Sequence, residues 1–294
     1  MNDNLKRYLD KYRKELEQSY NHYFSQLDIP SNLKQSMLYS LEAGGKRLRP
    51  ILMFVSYEVY GTSIEKVMSS AIALEMVHTY SLIHDDLPAI DDDDYRRGKP
   101  TNHKQFNEAT AILAGNALLT YSIELISTDP LLSSDEKIQI IQLLTETSGP
   151  KGMLAGQILD KGAEKQAVPL EEMERIHALK TGELIRMAIY AGAYLGGASE
   201  KQLNHLTEYA YYLGLICQVQ DDILDVTGDF SKIGKSVGSD EQNEKSTYPR
   251  LLGLDGAIKQ KEFYVDKAFN SLRLANAEDS LLTGLTKYIS ERDH

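Results

Sequence analysis

Leu82-Ile83-His84-Asp85-Asp86-Leu87-Pro88-Ala89-Ile90-Asp91-Asp92-Asp93-Asp94-Tyr95-Arg96-Arg97-Gly98 places six aspartates and two arginines directly after an apolar run. Carboxylates packed this densely repel one another unless cations sit among them. Arginines beside them are not metal ligands, but they bind a second anion well, because a guanidinium makes charge-assisted contacts to phosphate oxygens. The arrangement points to a divalent metal held between protein carboxylates and a phosphate group. A second acidic group, Asp221-Asp222-Ile223-Leu224-Asp225, lies far downstream and strengthens that reading.

The residues before the first group recur at helical spacing. Val67, Ala71, Leu74, Val77, Ser81 and Ile83 do so over 65–86, and Leu203, Leu206, Ala210, Leu213, Ile216 and Val219 over 199–226. The period is helical nearly throughout, and alternating strand patterns are absent. Breaks are expected at Ile29-Pro30-Ser31, Gly44-Gly45, Tyr60-Gly61-Thr62, Asp129-Pro130, Ser148-Gly149-Pro150, Val168-Pro169 and Gly196-Gly197. The expected fold is all-α, a bundle of roughly ten helices around a central cavity, with sites built from inward-facing side chains of the long helices. Asp221 and Asp225, four residues apart, share one helical face. Pro88 disturbs the turn after Asp86 and can swing Asp91 back towards Asp85. Calcium binding of the EF-hand type fails on pattern, since the required glycine and terminal glutamate are missing.

The chain of 294 residues shows no linker long enough to split it, so residues 1–294 are expected to form a single domain. Its longest irregular piece, Gly228–Pro249, is a candidate lid. A net charge of −11 argues against nucleic-acid binding. It does not argue against an anionic substrate, because bound Mg2+ reverses the local sign. The first residues are charged and amphipathic rather than signal-like, and no run of about 18 apolar residues suggests a membrane span. Cys217 is the single cysteine, which excludes an internal disulfide and fits a cytoplasmic setting.

Basic residues gather in Gly44-Gly45-Lys46-Arg47-Leu48-Arg49-Pro50, in Arg96-Arg97 with Lys99, and at Lys235 within Ile233-Gly234-Lys235-Ser236. The first group taken alone reads as a surface turn. His78 lies two helical turns before Asp85, on nearly the same face. Lys180-Thr181-Gly182 interrupts a helical run at a cost of roughly 1 kcal/mol for the glycine. A kink there would free backbone carbonyls able to face a developing positive charge, although simple helix packing explains the glycine equally well.

Taken together, these residues resemble the trans-prenyl diphosphate synthases, and most closely the bacterial farnesyl diphosphate synthases. The resemblance runs from GGKRLRP at Gly44 to KSTYP at Lys245 and includes DDLPAID, GQILD, KTGEL, DDILD and GKSVGSD in order. It implies the all-α isoprenoid synthase bundle, usually a homodimer. It implies that Asp85 and Asp91 hold two Mg2+ ions and Asp221 a third, supported by Asp86, Asp222 and Asp225. Arg96, Lys180 and Lys235 would bind the allylic diphosphate, with Thr181 and Gln218 at the reacting carbon. Gly45, Lys46, Arg49, His78 and Arg97 would bind isopentenyl diphosphate. The implied reaction is ionisation of the allylic diphosphate, attack by the isopentenyl double bond and loss of a proton.

Tyr80 precedes Asp85 by five residues, roughly 7.5 Å along the helix. A bulky ring there could floor the pocket for the growing chain, although the spacing fits a packed core tyrosine as well; an aromatic at this position resembles the short-chain bacterial members and so implies a C15 product. A geranylgeranyl diphosphate synthase, which shares all the motifs except the Tyr80 feature, is the nearest competitor. A non-catalytic prenyltransferase subunit is the alternative from another class, and degraded aspartate motifs would mark it. The ending Ser290-Glu291-Arg292-Asp293-His294 leaves one arginine among acids. The tail is therefore expected not to help close the site.

Overall fold

The computed structural model describes residues 3–164, 166–227 and 246–292, so Lys235 and most of the candidate lid lie outside the described residues. The apolar run ahead of Asp85 folds as α4, Glu65–Asp85. It is buried nearly all round, with Ala71 to Val77 almost without solvent contact, as befits a helix in the middle of a bundle. Around it run α1 Asp3–Ser25, α2 Ser31–Leu41, α3 Leu48–Glu58, α5 Asn102–Gln105, α6 Glu108–Thr128, α7 Ser134–Ser148, α8 Met153–Ala163, α9 Leu170–His177, α10 Glu183–Gly196, α11 Glu200–Thr227, α12 Tyr248–Leu274 and α13 Leu281–Glu291. Pro30 and Pro169 stand at the N-caps of α2 and α9, where a missing N–H costs nothing. Thirteen α-helices among the described residues exceed the expected ten, mainly because short pieces such as α5 carry too few residues to show a period.

Helix α4 packs on α3, α6 and α10, while α11 packs on α10 and α12. Among the described residues one helix, α6, is apolar and long enough by composition to cross a membrane. In the bundle it lies against α4 and α2, with Ile112 and Leu113 exposed on its outer side.

Two features depart from the expected pattern. Tyr95–Arg96 and Lys99–Pro100 form a minimal antiparallel hairpin, turned by Arg97 (φ 54°) and Gly98 (φ 75°). Left-handed conformations at both turn positions match the strand twist. The interruption at Lys180 is a π-helical turn, Ala178–Gly182, joining α9 to α10. Two glycines bring neighbouring helices onto it. A Cβ on Gly156 of α8 would stand 2.2 Å from the Lys180 nitrogen, and one on Gly214 of α11 would stand 2.8 Å from the Gly182 Cα.

Candidate active site

The basic segment before α3 divides by direction. Arg47 begins the helix in a left-handed conformation (φ 50°) and sends its guanidinium inward. There it meets Glu75 at 2.6 Å, with both side chains almost fully buried, and donates to the Leu41 carbonyl. This charge is neutralised inside the protein by Glu75. Lys46 and Arg49 line, together with the Arg47–Glu75 pair, a cavity of about 480 Å³. Arg49 Nη1 lies 3.2 Å from His78 Nε2. Burial and then the surrounding arginines hold the imidazole well below its usual pKa, so it stays neutral. Burial also lowers the Arg49 and Lys46 pKa values. Arg97 reaches the same place from the hairpin and donates to the Gly44 carbonyl. Its guanidinium lies where a Cβ on Gly45 would be, 2.6 Å from Arg97 Cζ, and Gly45 sits at φ 112°, a conformation that favours glycine. Cations crowded against a neutral imidazole in a desolvated wall make a site for a multivalent anion.

The first aspartate group lies outside that lining, while Asp221 of the second shares it. After α4 the chain turns so that the Asp91 N–H donates to the Asp85 carbonyl at 2.9 Å, as the proline break suggests. Burial raises the Asp85 carboxyl to about 6; Lys180 and Arg96 oppose the rise, while the nearby Asp91 and Asp86 carboxylates add to it. Asp86 is buried and is gripped by Arg96 Nε at 2.7 and 2.9 Å. Asp93 and Asp94 hold the loop through Arg96 at 3.4 Å and Lys104 at 2.7 Å. On α11, buried Asp222 accepts the Tyr248 N–H at 3.0 Å and so anchors the first turn of α12. Asp86 and Asp222 therefore support the site by positioning Arg96 and α12.

Asp85, Asp91 and Asp221 fit a hard divalent cation by donor type. Among the described residues no three acidic, histidine or thiol groups converge on one point. Mg2+ does not need such a cage, since it takes one or two carboxylates and completes its octahedron with water and substrate phosphate.

The π turn lies between these regions. Lys180 Nζ meets Asp160 Oδ2 of α8 at 2.5 Å, and the Thr181 hydroxyl donates to Gln218 Oε1 of α11 at 3.2 Å. Thr181 and Gln218 line both the large cavity and a smaller one of about 120 Å³ that contains Lys180, Asp160 and Asp222. Of the residues expected from sequence, Gly45, Lys46, Arg49, His78, Arg97, Thr181, Gln218 and Asp221 share one cavity wall. Asp85, Asp91 and Arg96 do not line it. Tyr80 does not line it either; it is buried with its ring edge-on to His84, centroids 5.5 Å apart.

The tail corrects one expectation. Arg292 lines the cavity, and its Nη2 sits 2.5 Å from Asp221 Oδ1, so the tail's one described arginine does reach the site. Being set among acids does not remove this arginine from the site, because its partner is an acid on another helix. Sequence reasoning also missed Lys161, 3.1 Å from Asp91. It directly follows the GQILD motif, but nothing local marks its partner. A wider cleft of about 780 Å³ between α1, α3 and α13 contains none of the motif residues.

A family model described as polyprenyl synthetase matches residues 30–279. The chain is 44% identical over 292 residues to a farnesyl diphosphate synthase of Geobacillus stearothermophilus, covering 99% of this chain and 98% of that one. It is 42% identical to a geranylgeranyl diphosphate synthase of Cyanophora paradoxa over 90% of this chain and 89% of the other. The crystal structure of a geranyltransferase from Legionella pneumophila superimposes with a TM-score of 0.86 at 34% identity, over 98% of this chain and 97% of that one. With residues 30–279 matched by the family model and 99% of the chain matched by a relative at 44% identity, the chain belongs to the polyprenyl synthetase family.

Proposed function

We propose that this protein is a chain-elongating prenyltransferase that condenses isopentenyl diphosphate with dimethylallyl and then geranyl diphosphate to give (2E,6E)-farnesyl diphosphate. The observation that carries the reading is the meeting of two unlike regions at Thr181 and Gln218, one built from cations around Arg49 and His78, the other containing Lys180, Asp160 and Asp222. Several curated relatives named farnesyl diphosphate synthase support the product assignment.

In this reading Gly45, Lys46, Arg49, His78 and Arg97 bind isopentenyl diphosphate. Neutral His78 donates or accepts a hydrogen bond without adding charge. Arg96, Lys180 and Lys235 bind the allylic diphosphate. Asp85, Asp91 and Asp221 would hold Mg2+, three ions with substrate bound, which supplies Lewis-acid neutralisation of the diphosphate leaving group. As the allylic carbon gains positive charge, the Gln218 oxygen and the carbonyls of the π turn face it. These dipoles are fixed before reaction and need little reorganisation. The isopentenyl double bond then attacks, and the departing diphosphate takes the proton lost from the adduct. Buried Tyr80 limits the product to C15.

Helices from both halves, α4 and α11, contribute to the same cavity, which supports a single domain over 1–294. Ile112, 42% exposed, and Leu113, 61% exposed, give α6 an apolar outer face that suits a second copy of the chain in a homodimer. The buried lone thiol of Cys217 fits a cytoplasmic setting.

Incubation with isopentenyl and dimethylallyl diphosphates plus Mg2+, followed by mass analysis, tests the proposal. A C15 product is expected. A dominant C20 product would favour a geranylgeranyl diphosphate synthase, and no product would favour a non-catalytic subunit.

A further inference from the structure

The two sides of the acidic clamp share a feature that no motif announces. Asp91 is met by Lys161 Nζ at 3.1 Å, and the same ammonium donates to the Ile90 carbonyl at 3.0 Å and reaches Glu164 at 2.9 Å. Asp221 is met by Arg292 Nη2 at 2.5 Å. The Arg292 backbone is tied in place, since its carbonyl accepts from Gln220 Nε2 at 2.7 Å. Lys261 braces that contact by donating to Gln220 Oε1 at 2.7 Å and to the Ser290 carbonyl at 2.8 Å. Each basic group therefore has a built seat. Lys161 lies on α8 and Arg292 just beyond α13, so two unrelated elements deliver one cation to each side of the clamp.

We infer that Lys161 and Arg292 are resident counter-ions that occupy the cation positions of Asp91 and Asp221 until metal and diphosphate arrive together. The inference rests on the metal-clamp reading above. A divalent ion approaching either carboxylate meets a positive side chain already there and must displace it, which weakens metal binding to the ligand-free protein. A diphosphate supplies negative charge for the displaced cations and removes that opposition. Metal and diphosphate then bind with positive coupling. Lys161 and Arg292 act through the aspartates and are positioning residues.

The test is Mn2+ titration of the full chain, read by the electron paramagnetic resonance of free Mn2+, at fixed ionic strength, with and without inorganic pyrophosphate. Circular dichroism checks that each variant is folded. Lys161→Met and Arg292→Gln should each bind Mn2+ about three- to tenfold more tightly than the unsubstituted chain when pyrophosphate is absent. Each should also show a smaller gain on adding it. Asp91→Asn and Asp221→Asn should weaken Mn2+ binding. Unchanged or weaker Mn2+ binding in the Lys161 and Arg292 variants, with the aspartate variants weakened, would overturn the counter-ion role. Mn2+ binding unaffected by the aspartate substitutions would instead overturn the metal-clamp reading, and this inference with it.

Discussion

Arg49 Nη1 faces His78 Nε2 at 3.2 Å, deep in the cavity wall, and the imidazole is held neutral there. The pair places a fixed charge and an uncharged hydrogen-bonding group side by side. His78→Gln is expected to raise KM for isopentenyl diphosphate about tenfold, the effect of one hydrogen bond to a charged group. The acid limb of the pH–rate profile should stay where it is, because His78 does not titrate there. The stability sign follows from the lowered pKa. Above the ordinary histidine value both folded and unfolded chains are neutral at this site, and stability is lost as the pH falls below about 6.5, where only the unfolded chain takes the proton. Urea midpoints at pH 7.5 and 5.5 should therefore differ less for His78→Gln than for the unsubstituted chain.

Asp85 has the opposite sign. Its carboxyl is raised to about 6, so the fold prefers it protonated. That preference contributes fully below the ordinary carboxylate range and is lost as the pH rises through about 6. Asp85→Asn should stabilise the metal-free chain at pH 7.5 by about 1–2 kcal/mol, allowing for solvent access. Turnover with Mg2+ should fall by about a hundredfold or more. Thermal melts without metal, beside initial rates with it, check both halves.

Gly156→Ala should not show the stabilisation of about 0.5–1 kcal/mol usual for glycine to alanine inside a helix. Its Cβ would meet the Lys180 backbone at 2.2 Å. Overpacking of this kind costs about 1–3 kcal/mol, and the displaced π turn should lower kcat more than it raises KM. A melt at or above that of the unsubstituted chain would refute the steric account.

Tyr80→Ala should lengthen the product. The ring, five residues before Asp85, is buried and rests edge-on against His84, and removing it opens space beneath the first aspartate motif. Mass analysis of products decides the matter, and an unchanged C15 product would refute the floor assignment.

Long helices such as α4 and α11 were legible because burial leaves a period in the sequence, and proline or glycine marks breaks such as Pro30, Pro169 and Gly196-Gly197, whereas the break between α12 and α13 carries neither residue. Lys46, Arg49 and His78 were legible as a group only through motif resemblance, since they come from different elements. Other features left no local trace. The contacts of Lys161 with Asp91 and of Arg292 with Asp221 join residues 70 and 71 apart. The direction of Arg47 depends on Glu75, one helix away. The hairpin at Tyr95–Pro100 is too short to show alternation. At Lys180 the sequence suggested a break but could not distinguish a kink from a π turn, because the outcome is decided by neighbours on α8 and α11.

The close approach of Gly156 and Gly214 has a consequence for transferability. The shape of the turn at Lys180-Thr181-Gly182 belongs to three helices at once, and most of what enforces it lies outside those three residues. Grafted alone into another helical scaffold, the tripeptide would carry its side chains but not its backbone geometry. The smallest portable unit is the turn together with the two glycine-bearing helices pressed against it.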